Sequence, residues 1–98
     1  MKRAVIERYR SGEAGGYLNI GNDRSIPSRG IIGIFDMDTA TVSATTREFL
    51  RRSERQGQTV TVKASLPKAF VLYDDGVRET VYFSPLAVRT LAERENEE

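Results

Sequence analysis

Ninety-eight residues, 39% apolar and 30% charged with a net charge of +1, bound the chain to one domain with one modest core. There is no cysteine and no histidine, which removes disulfides, thiolate metal sites and the commonest general acid–base group. No apolar run nears the roughly 20 residues of a bilayer crossing, and no apolar stretch follows the basic start MKRAVIERYR, so neither a membrane span nor a secretory signal is expected.

Residues 1–16 read as a basic arm or linker. Lys2, Arg3, Arg8 and Arg10 outweigh Glu7 and Glu13, Ala4-Val5-Ile6 is the one apolar cluster, and Ser11 to Gly16 is a flexible link. A single domain follows over 17–92, with an acidic tail at 93–98. Tyr17, Leu18 and Ile20 favour a strand, and Gly21-Asn22-Asp23 breaks it. Ile26 and Pro27 give a short second strand, Ser28-Arg29-Gly30 turns, and Ile31 to Phe35 is a buried third. Asp36 to Thr41 is a polar turn. A helix is predicted over about Val42 to Gln56, capped by Thr41 or Ser43, stopped by Gly57 and anchored by Phe49 and Leu50.

Thr59 to Lys63 alternates as a half-buried strand with Val60 and Val62 inward. Pro67 closes the next loop, and Ala69 to Tyr73 is an apolar central strand. Asp74-Asp75-Gly76 is a hairpin signal, with Val77 to Phe83 as the partner strand. Ser84-Pro85 then opens a second helix, serine as cap and proline at the first helical position, with Leu86, Ala87 and Leu91 inward. Strands cluster and helices are few. The class is therefore α+β, a small mostly antiparallel sheet with two helices and no internal repeat.

The chain offers little for catalysis. Asp36 and Asp38, like Asp74 and Asp75, stand where turns want acids. No glycine loop cradles phosphate and no nucleophile elbow is present, so neither an enzyme nor a metal or cofactor site is expected. Charge placement says more. The last six residues hold four glutamates and one arginine, which leaves +4 on the first 92. Arg47, Arg51 and Arg55 stand at i, i+4 and i+8 on one helix face, with Arg52 adjacent and Glu48 placed to offset it in part. Arg29 lies in a turn where its planar fork suits phosphate or guanine. Lys68 stands at the mouth of the central strand. Each of these also fits a solvated surface.

Five segments together resemble a known family: Tyr17-Leu18-Asn19-Ile20-Gly21, Arg29 to Asp36, Thr46-Arg47-Glu48-Phe49-Leu50, Pro67 to Leu72, and Val81-Tyr82-Phe83-Ser84-Pro85-Leu86. In order and spacing they are similar to the Rem family of small bacterial regulators of extracellular-matrix genes, nearer its RemB branch than its RemA branch. The likeness covers about residues 17–92; residues 1–16 lie outside it.

The resemblance implies a cytoplasmic protein that binds double-stranded DNA and acts in transcription of biofilm-matrix genes. It implies a fold similar to a LytTR-type DNA-binding domain, and closed homo-oligomeric rings of about seven or eight subunits. It implies DNA contact at three places: the turn before the third strand (Arg29), the first helix (Arg47) and the segment before the central strand. That last segment is arginine-rich in the family and reads Ala64-Ser65-Leu66-Pro67-Lys68 here. The expected contact set is Arg29, Arg47, Arg51, Arg52, Arg55 and Lys68, directed at phosphates rather than base edges. Apolar surface around Ile31, Ile32 and Phe35, or around Tyr82 and Phe83, is expected at subunit contacts where it is not core. No membrane and no small-molecule substrate is expected. A competing reading is an oligomeric interaction module without direct DNA binding, its arginines meeting carboxylates such as those of the tail.

Overall fold

The computed structural model describes residues 16–63 and 66–95; the arm, the end of the tail and Ala64-Ser65 lie outside the described residues. β1 (Tyr17–Asn19) and β2 (Ser25–Pro27) form an antiparallel hairpin, Leu18 opposite Ile26. Its turn runs through three consecutive positive φ angles at Gly21, Asn22 and Asp23. Asn and Asp tolerate that region. Gly21 is held there twice over, since a Cβ would also lie 3.1 Å from Pro85 Cγ.

A 3-10 turn over Ser28–Gly30 leads into β3 (Ile31–Asp36). A second sheet has the order β3, β5 (Ala69–Asp74), β6 (Glu79–Ser84), β4 (Thr59–Thr61). β3–β5 and β5–β6 are antiparallel, but β4 pairs with β6 in parallel. Expecting one mostly antiparallel sheet was thus only partly right: there are two sheets, and one edge is parallel. Strand periodicity reports which residues face inward, not which strand lies beside which. Because β4 joins the far edge beyond β6, its direction follows from the chain's return path.

β3 carries a bulge between Ile31 and Gly33. Ile31 and Ile34 are three apart, so a regular strand would turn them to opposite faces. The extra residue puts both in the same buried cluster and leaves Ile32 53% exposed. The expected patch of Ile31, Ile32 and Phe35 is therefore split, with Ile31 in the core.

Three α-helices form, not two. The helix predicted over 42–56 is α2 (Ala44–Arg55), while the segment expected as a polar turn, Asp36 to Thr41, holds the short α1 (Met37–Ala40). Asp36 caps α1 through Thr39 N–H and Ser43 caps α2 through Thr46 N–H. Val42, between them, is exposed. Thr46, Leu50 and Ser53 form the buried side of α2, and Gly57 ends it at φ +69. α3 (Val88–Glu95) starts later than Ser84-Pro85 suggested. Ser84 closes β6 instead. Its buried Oγ donates to the Ile20 carbonyl (2.7 Å) and accepts from Leu86 N–H (3.0 Å), tying the hairpin to the sheet.

The two faces of the larger sheet are covered unequally. The β1–β2 hairpin and α3 close one over Ile31, Ile34, Ala69 and Val71, with Leu91 fully buried. α2 and the short α1 cover the other, over Phe70 and Val81. The sheet is about 14 Å across and a helix about 10 Å wide. One long helix cannot roof it, and the β3–β5 side stays open.

Candidate nucleic-acid interface

α2 displays its arginines because its buried stripe is narrow. Arg47, Arg51, Arg52 and Arg55 are all exposed, but they do different things. The Arg47 guanidinium turns back and donates to the carbonyls of Thr41 (2.7 Å) and Val42 (3.0 Å). It straps the α1–α2 junction. Arg51 and Arg55 both reach Glu48, at 3.4 and 3.5 Å. Glu48 was expected to offset Arg52; it serves the other two. Arg52 instead lies over the Phe49 ring, 5.9 Å from its centroid, and meets no carboxylate among the described residues.

The remaining candidates stand apart. Arg29 sits in the 3-10 turn beside Tyr73, whose ring belongs to the α3 face. Gly30, next to it, is a glycine for want of space. A Cβ there would lie 2.4 Å from the Tyr73 ring and 3.0 Å from the Asp74 carbonyl. The Tyr73 phenol is pushed above its ordinary value, first by burial and then by Tyr82, Asp75 and Tyr17; Arg29 pulls the other way. Lys68 is exposed at the other end of the same strand pair, just before Ala69, which lies opposite Asp36. The two ends of β3 are roughly 17 Å apart along the strand. The six candidates thus fall into three groups: the α2 face, the start of β3, and the start of β5. No single patch gathers them.

Sequence reasoning missed Arg24, which lies 5.5 Å over the Tyr82 ring; a basic residue in a turn gave no sign of that contact. It also missed Arg94, read as part of a frayed acidic end. Arg94 donates to Asn19 Oδ1 (2.8 Å) and fastens α3 to β1. The tail begins on the face opposite α2, and Glu93 is exposed there. Beside α2 the open side of the sheet forms a groove of about 600 Å3, lined by Phe35, Phe49, Phe70 and Leu72 with Glu48 and Arg52 at its lip. Among the described residues no cluster of acidic side chains is placed to hold a metal ion, and no helix is long and apolar enough to cross a membrane.

Fold and surface define a small α+β protein whose distinguishing feature is an arginine-bearing helix beside an apolar groove. Residues 17–94 match the model of the RemA-like family, described as extracellular matrix regulatory protein A-like. Extracellular matrix regulatory protein B of Bacillus subtilis (strain 168) is 32% identical over 78 residues, covering 80% of this chain and 88% of that protein. The chain belongs to the RemA-like family of extracellular matrix regulatory proteins. Both names describe regulators rather than enzymes.

Proposed function

We propose that this protein binds double-stranded DNA as a homo-oligomer and regulates transcription of extracellular-matrix genes. The observation that carries the reading is α2: three guanidinium groups, those of Arg51, Arg52 and Arg55, stand exposed on a helix with two carboxylates, Glu54 and the Glu48 that pairs with Arg51 and Arg55. Arg47 leaves the proposed contact set because its Nη1 amino group is turned back onto the Thr41 and Val42 carbonyls. Arg29 and Lys68 stay in it as peripheral phosphate contacts.

The scatter of these groups supports an oligomer. One copy offers few cations on any one side. Copies arranged in a closed ring would repeat each group at regular spacing, and every contact after the first becomes intramolecular. Binding of this kind is directed at the backbone, with preference arising from DNA bendability.

Fluorescence anisotropy with AT-rich and GC-rich duplexes tests it, beside a light-scattering mass of the free protein. Each phosphate contact predicts about a 3.5-fold loss of affinity between about 50 and about 200 mM salt, so the three α2 contacts of one copy alone predict about 40-fold. Salt-independent binding, or a solitary 11.0 kDa chain at micromolar concentration, would count against it. The second reading, an interaction module without DNA binding, is favoured by the pairing of Arg51 and Arg55 within the chain. It predicts no saturable duplex binding at either salt.

A further inference from the structure

The half-sheet that α2 leaves bare is a formed cavity with a charge at its lip. Its volume, about 600 Å3, falls within the roughly 300–1,000 Å3 of small-ligand sites. The floor is flat. Phe35 and Phe70 stack with centroids 4.9 Å apart and planes 18° from parallel. Leu72 extends the floor and Phe49 forms the wall on the α2 side. At the lip, Glu48 is already held by Arg51 and Arg55. Arg52 is matched by no carboxylate among the described residues and rests against Phe49. An unmatched cation thus stands at the mouth of an apolar slot.

We propose that this groove binds an organic anion with a flat apolar body, of the aryl carboxylate class. The body lies on the Phe35–Phe70 pair and Leu72, and the carboxylate meets the Arg52 guanidinium. Charge selects this occupant. The chain's own first segment, with Lys2, Arg3, Arg8 and Arg10, has the wrong sign for a lip that is already cationic. The floor itself is apolar, and the one carboxylate of the lining, Glu48, is engaged by Arg51 and Arg55, so the proposal is one of binding and not of turnover. Binding stands independently of the DNA reading and meets it at one point. Arg52 belongs to both surfaces, so an occupied groove takes one cation away from α2.

The probe is 2-naphthoate, with its methyl ester as the neutral control of nearly the same shape. The chain has no tryptophan, so naphthoate fluorescence is read without interference. Saturable one-to-one binding is expected, about tenfold tighter for the acid than for the ester. Arg52→Gln should weaken the acid about tenfold and leave the ester alone. Thr45→Glu, at an exposed position in the first turn of α2, should do the same; a carboxylate there suits the helix N-terminus, so the fold is retained. Arg89→Gln, on exposed α3 surface, makes the same change in net charge and should alter neither. Equal affinity for acid and ester, an acid affinity indifferent to Arg52→Gln, or no saturable binding would overturn the proposal. The last includes the case in which a second copy fills the groove. These titrations contain no DNA, so a failure of duplex binding leaves their outcome untouched, and the reverse holds too.

Discussion

Arg47→Ala and Arg51→Ala should exchange their effects. Both positions lie on the same exposed row of α2, yet Arg47 donates to two carbonyls at 2.7 and 3.0 Å, while Arg51 makes one ion pair at 3.4 Å with both side chains more than half exposed. A hydrogen bond to a charged group contributes up to about 1.5–3 kcal/mol, less in contact with water, so the Arg47 pair is assigned about 1–2 kcal/mol together. For a domain of this size each kcal/mol moves Tm by about 4–8 °C, so Arg47→Ala should lower Tm by about 5–15 °C. The exposed Arg51–Glu48 pair is worth at most a few tenths of a kcal/mol, and Tm should hardly move. Duplex binding should show the opposite ranking. Deleting one phosphate-binding cation reduces the slope of log K against log salt by about 0.9, equal to about 3.5-fold less salt sensitivity over a fourfold salt range. Arg51→Ala should show this per contributing copy, and Arg47→Ala should not. Thermal unfolding by circular dichroism and anisotropy at four salt concentrations suffice. An Arg47→Ala protein with unchanged Tm and a reduced slope would refute the strap and return Arg47 to the phosphate contacts.

Three further predictions concern the frame around these side chains. Gly30→Ala drives a methyl group into the Tyr73 ring and should cost about 1–3 kcal/mol in urea unfolding; in a Tyr73→Leu background the cost should shrink, because the ring atoms it meets are gone. Ser84→Ala strands the Ile20 carbonyl and Leu86 N–H and should cost about 1–3 kcal/mol, with faster amide exchange in β1 as its local sign. The Asp75 carboxyl is held below its ordinary value by the backbone N–H groups of Arg78 and Val77. A depressed folded value means stabilisation that is present above the unfolded value and lost as pH falls through the folded one. An NMR titration should find the Asp75 midpoint below 3.8, and Asp75→Asn should remove that part of the acid dependence; a midpoint at or above 3.8 contradicts the turn geometry.

Much of the frame was legible in the residues. Alternation placed Val81 and Phe83 on one face and Tyr82 on the other, where the two core clusters put them. Asp74-Asp75-Gly76 turns the hairpin through Asx hydrogen bonds to Gly76 and Val77. The short α1 was harder to see, because Asp36 to Thr41 reads as a polar turn; Val42 looks like the first core position of the next helix but is exposed, since Ser43 is that helix's cap. Pro85 is as good at following a strand as at opening a helix, and only the Ser84 contact with Ile20 decides which. For the candidate site, composition could place arginines along one helix row. It could not say that one guanidinium turns inward to carbonyls, or that one glutamate takes two partners. Those outcomes depend on which backbone atoms the fold brings within a few ångströms.

The bulge in β3 makes that strand's length matter more than its composition. Removing a single residue between Ile31 and Gly33 would restore regular pleating and swing Ile31 out of the interior. The 3-10 turn would rotate with it, and Arg29 with the turn. Swapping one aliphatic side chain for another at Ile32 should pass almost unnoticed, whereas a one-codon deletion there should re-aim everything upstream.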